Sequence, residues 1–84
     1  MFNGKELLAK YVTVTSARKE CLYWLENPTD SDVEQLIGCF GAVIGYDKET
    51  RLYSIMTTVN GVLRSIKLRR KEIKHKDDLI YNYI

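Results

Sequence analysis

The chain has little of what most enzyme and metal chemistry requires. It carries one histidine, two cysteines and one proline in 84 residues. Cys21 and Cys39 stand eighteen positions apart, with no CxxC pair and no histidine cluster beside them. A structural zinc takes four nitrogen or sulfur ligands, and Cys21, Cys39 and His75 fall short of that set, so neither a metal nor another cofactor is expected. The thiols read as reduced, packed as small hydrophobes, because a disulfide would fit a secreted mini-protein. Long apolar runs are also missing. The longest, Cys21–Leu25, is far below the roughly 20 residues that cross a bilayer, and residues 1–6 have neither the basic end nor the apolar stretch of a signal peptide. A soluble cytoplasmic protein with no membrane partner is the expectation.

Catalytic signatures are absent in the same way. There is no P-loop, GxGxxG, GxSxG or HExxH. His75 lies between Lys74 and Lys76 and reads as a solvated tail residue. The carboxylate pairs Asp30/Asp32 and Asp77/Asp78 stand in polar segments, away from the apolar surroundings that raise a pKa for acid work. No catalytic residue is assigned, and the protein is expected not to be an enzyme.

What is present is an ordinary globular composition: 45% hydrophobic, 29% charged and 11% aromatic. That excludes disorder, collagen-like repeats and coiled coil. The length suits a single small domain over residues 1–84. A core this small gains from a subunit interface, so a homodimer is one possible state.

The clearest local signal is Asn60-Gly61, a pair suited to the two positive-φ positions of a type I′ turn. Placing the turn there pairs residues whose numbers sum to 121: Val59 with Val62, Ile55 with Ile66, Tyr53 with Leu68. Upstream, residues 41–46 read as a strand and residues 47–50 as a polar connection. Setting Tyr46 opposite Arg51 places Ile44 beside Tyr53 and Ala42 beside Ile55. The expected core side is then Ile44, Tyr53, Ile55, Ile66 and Leu68. Arg51 stands where such loops often place glycine. Gly38, Gly41 and Gly45 read as sites of bending or close backbone approach.

The first half is less regular. Tyr11–Thr15 alternates and is β-branched, predicting a strand with Val12 and Val14 inward. Asn3 with Glu6 can cap a helical turn before it. Residues 16–27 admit two readings, a strand favoured by Tyr23 and Trp24, or a helix burying Ala17, Cys21, Trp24 and Leu25. Ser31 with Glu34 forms a capping-box pattern, and residues 79–84 read as a last strand pairing with the first.

Five or six short strands with one short helical turn suggest a mainly β, closed small barrel. The pattern Gly41-x-Val43-Ile44-Gly45-Tyr46-Asp47, then Leu52-Tyr53-x-Ile55, then a hairpin ending at Glu72-Ile73, resembles the SH3-like barrels of the Tudor and KOW type. The resemblance spans residues 38–73 and implies a three-strand meander followed by a single 3₁₀ turn. Plasmid-borne type II dihydrofolate reductase has a similar barrel. Its Val-Gln-Ile-Tyr run is replaced here by Ser65-Ile66-Lys67-Leu68, so that enzyme is excluded.

Charge is polarised along the chain. Residues 64–76 hold seven Lys or Arg against one Glu, while Glu26, Asp30, Asp32 and Glu34 follow one another without an intervening cation. A basic strip can neutralise phosphates, and Lys67, Arg69, Arg70, Lys71, Lys74 and Lys76 are its candidate members. Exposed aromatics can stack on bases or anchor a protein partner, and Trp24 and Tyr46 are the candidates. Two functions remain open. One is a non-enzymatic module that binds nucleic-acid phosphates. The other is a small stand-alone regulator or inhibitor of mobile-element or viral type, binding a cellular enzyme through Trp24, Tyr46, Asp30, Asp32 and Glu34.

Overall fold

A computed structural model of the chain describes residues 7–75. The expected cap at Asn3/Glu6, the residues Lys76, Asp77 and Asp78, and the expected strand at 79–84 lie outside that range.

Asn60 and Gly61 take φ of 51° and 82°, and the hairpin they close has the expected register. Strand β3 (Leu52–Val59) pairs antiparallel with β4 (Val62–Arg69), Val59 facing Val62 and Tyr53 facing Leu68. Alternation does the rest. Tyr53, Ile55, Thr57, Val59, Ile66 and Leu68 turn to one side and are buried. The buried Thr57 hydroxyl is satisfied by donating to the Phe40 carbonyl at 2.9 Å.

Strand β2 (Phe40–Asp47) corrects the upstream register. Val43 faces Ile55 and Tyr46 faces Tyr53, with a shift between Val43 and Gly45. This is a β-bulge: one extra residue on β2 opposes the regular β3. Ile44 is that residue, and it is 52% exposed instead of joining the core. Val43 takes the buried place, at 1%. The far end of the hairpin explains the change in count. Arg51 adopts φ of 60° and its N–H donates to the Asp47 carbonyl at 2.8 Å, so the loop runs from Lys48 to Arg51 and Leu52 meets Asp47. Gly41 is a site of close approach: an added Cβ would stand 2.7 Å from Ile55 Cγ2 and from the Met56 carbonyl oxygen. Gly38 needs freedom for its φ of 90°, whereas a Cβ at Gly45 would meet Ser54 at an ordinary 3.7 Å.

Strand β1 (Tyr11–Val14) buries Val12 and Val14 as expected. It pairs with β2 on one edge and with β5 (Ile73–His75) on the other, giving a five-stranded antiparallel sheet in the order β4-β3-β2-β1-β5. Among the described residues the expected closure does not occur: the sheet is open, with β4 and β5 as its edges. Strand β5 is only three residues long. The edge of β4 is instead covered by the β1–β2 connection, where the Cys21 thiol donates to the Lys67 carbonyl at 3.2 Å. Between β4 and β5 lies a single 3₁₀ turn, Arg70–Glu72. His75 is not solvated. It is 7% exposed, opposite Val12, because β5 alternates Ile73 and His75 inward.

Residues 16–27 are neither strand nor regular helix. They hold one 3₁₀ turn, Lys19–Cys21, followed by irregular backbone. Cys21 and Leu22 are adjacent and both buried, which strand alternation forbids. Pro28 precedes the only α-helix among the described residues, α1 (Asp30–Glu34). Its capping box begins two residues earlier than the Ser31/Glu34 pattern. The Thr29 hydroxyl accepts from the Asp32 N–H at 3.2 Å, and the Thr29 N–H donates to the Asp32 carboxylate at 2.9 Å. No helix among the described residues is long and apolar enough to cross a membrane.

Candidate functional site

Two connections meet at the end of the sheet remote from the Asn60-Gly61 turn. The β2–β3 loop brings Tyr46, Thr50 and Arg51, and the end of β4 with its 3₁₀ turn brings Arg69, Arg70 and Lys71. Together with Tyr53 they line a groove of about 450 Å³. Four of the seven lining residues are cations and none is a carboxylate, so the lining is cationic. Asp47 of the same loop is used within its own turn, where its carboxylate accepts from the Glu49 N–H at 2.9 Å. Tyr46 forms an aromatic wall, half-buried, its ring centroid 4.6 Å from that of the fully buried Tyr53.

Beneath the groove is a buried carboxylate. Glu72 is 1% exposed and accepts from Arg18 through both oxygens, at 3.0 and 3.2 Å. It also accepts from the Arg69 backbone N–H at 2.7 Å and from Arg69 Nη2 at 3.3 Å. Burial pushes this carboxyl upward, but the hydrogen bonds from Arg18 and Arg69 outweigh it and hold the pKa below the usual carboxylate range. Glu72 also fixes the long β1–β2 connection, since its backbone carbonyl accepts from Thr15 and Ser16. The Cys21 thiol nearby is pushed upward by burial, which favours the protonated and unreactive form.

The structure divides the candidate basic strip. Arg69, Arg70 and Lys71 enter the groove, Arg70 with one guanidinium nitrogen donating to the Ile73 carbonyl at 3.1 Å. Lys67 lies along β4 with its ammonium donating to Ser54 at 2.7 Å, and Lys74 is exposed on β5. Lys76 lies outside the described residues. The partner-binding candidates are also separated. Tyr46 is in the groove, whereas Trp24 packs against the core under the Arg64 guanidinium, 4.3 Å from the ring centroid. Asp32 caps α1, Asp30 stands 3.5 Å from Lys19, and Glu34 is exposed. Arg51 joins the groove from outside the basic run, being distant from residues 64–76 in sequence. Its one sequence signal is the absence of glycine at a position that takes positive φ.

Among the described residues no group of three or more His, Cys, Asp or Glu side chains is placed to hold a metal ion. Compared with family models, with curated proteins and with solved structures, the chain gives no match.

Proposed function

We propose that the protein is a non-enzymatic binding module whose groove takes the phosphates of a nucleic acid. One observation carries this reading: Arg51, Arg69, Arg70 and Lys71 converge from two separate connections on a cavity with an aromatic wall and no carboxylate. Guanidinium forks suit phosphate oxygens in two-pronged contacts, and each phosphate neutralised releases counterions. The strand order and the 3₁₀ turn between β4 and β5 support an SH3-like arrangement of the Tudor and KOW type, partly open in place of a closed barrel. The alternative, a protein–protein regulator, has less support. Asp32 is used in a helix cap and Trp24 is covered by Arg64, so two of its anchors are committed within the chain.

The test is fluorescence anisotropy of a labelled oligonucleotide with the wild-type protein and the variant carrying Arg51→Glu and Lys71→Glu. Both side chains are exposed and neither contacts Glu72, so the fold stays intact. Arg69→Glu would be a poor choice, because it sets a second carboxylate against Glu72. Loss of at least about tenfold in affinity is expected, each charge-assisted contact contributing about 1.5 kcal/mol or more. Equal binding by the two proteins, or no binding by either, contradicts the proposal.

A further inference from the structure

The outer side of the sheet is unusual in what it exposes. Tyr11 on β1 and Phe40 on β2 are 61% and 64% exposed, and their rings lie parallel within 6° at a centroid separation of 5.5 Å. They are diagonal neighbours, since Thr13 faces Phe40 and Tyr11 faces Ala42. The same side carries Met56 opposite Ala42, and Lys74 of β5 opposite Thr13. Lys67 of β4 lies opposite Ser54 on that side as well, two residues along the strand from Arg69 of the groove. Cations predominate there: among the described strands the sole carboxylate is Asp47, on this same side at the far end of β2, opposite Leu52.

Flat rings fixed on a rigid sheet and flanked by cations fit one ligand better than others. We propose that this outer face is a base-stacking platform for single-stranded nucleic acid, with bases on Tyr11 and Phe40 and phosphates on Lys67 and Lys74. Stacking needs a base whose face is free, which a single strand offers and a duplex hides. Lys74 stands across Thr13 from Phe40 on one side of the rings, and Lys67 lies on β4 at the opposite edge of the sheet, two residues from Arg69 of the groove, so cations lie on both sides of the rings. A purely apolar partner would leave these cations unmatched. The platform shares its ligand class with the groove reading but rests on different side chains.

The experiment is anisotropy with a labelled oligothymidylate of about 15 nucleotides and with a duplex of the same length, at one salt concentration. The proteins are the wild type, Tyr11→Ala, Phe40→Ala, Phe40→Trp and the Arg51→Glu/Lys71→Glu variant, each checked for its fold by circular dichroism. Each alanine variant is expected to lose between about fivefold and a hundredfold for the single strand, Phe40→Trp to retain binding, and the duplex to bind more weakly throughout. Unchanged single-strand affinity in both alanine variants overturns the platform. If the charge-reversal variant then still weakens binding, the groove reading stands alone. Weakening by the alanine variants with no effect of charge reversal supports the platform and removes the groove. A homodimer seen by sedimentation without nucleic acid, and dissolved by both alanine substitutions, assigns the face to a second copy and also overturns the proposal. So does binding of neither oligonucleotide, which removes both readings.

Discussion

Arg51 and Glu72 are the two residues where the conformation of the chain and the chemistry of the groove depend on each other. Arg51 holds φ of 60°, a region that costs a residue with a Cβ about 1 kcal/mol. Glycine would relieve that strain at some cost in chain entropy. Arg51→Gly is therefore expected to leave stability unchanged or higher by up to about 1 kcal/mol, measured as a urea midpoint, while nucleic-acid affinity falls. A drop in both would place the side chain in the fold instead of the site. Glu72 works in the opposite direction. Its carboxyl is held below its ordinary pKa, so the stability it contributes is complete above the unfolded value of about 4.3 and fades as pH falls through the lower folded value. Glu72→Gln is expected to flatten the fall in the urea midpoint between neutral and acidic pH, and to cost about 2 kcal/mol at neutral pH. An unchanged pH profile would show that the carboxylate is not ionised against Arg18 and Arg69.

At the scale of elements, the β3–β4 hairpin was legible because its register rests on one local fact, the positive φ of Asn60 and Gly61. Strand β1 was legible from alternation alone. The bulge in β2 was not, since an extra residue leaves no mark in composition: Val43 and Ile44 are both β-branched and either could face inward. Energetics now separates them. Val43→Ala should cost about 2 kcal/mol, whereas Ile44→Ala should stay within about 0.5 kcal/mol, by denaturant unfolding of each. The reverse ranking would restore the unbulged register. Residues 16–27 were illegible for another reason. They cover the edge of β4 through Cys21 and Trp24, spaced for a particular neighbour and not for a repeating element. The candidate groove was half legible: Arg69, Arg70 and Lys71 follow one another in sequence, but only the turn geometry brings Arg51 and Tyr46 to them.

For the whole molecule, the sheet separates two chemistries by the length of a hairpin. Strand β3 has eight residues, about 25 Å of extended chain. Near its Val59 end the Asn60 side chain donates to Gln35 just after the acidic helix α1, at 2.9 Å, and at its Leu52 end is the cationic groove. Such a charge layout gives an orientation in the field of a polyanion, with the groove leading. If Arg51, Arg70 and Lys71 each meet a phosphate, the salt dependence of binding counts those contacts. For a single strand the slope of log K against log salt is about −0.7 per phosphate contact, giving about −2 from the three groove contacts and a steeper total where Lys67 and Lys74 add theirs. Lys71→Ala should make the slope shallower by about 0.7. A slope near zero, or one that Lys71→Ala leaves unaltered, would contradict the assignment of the groove.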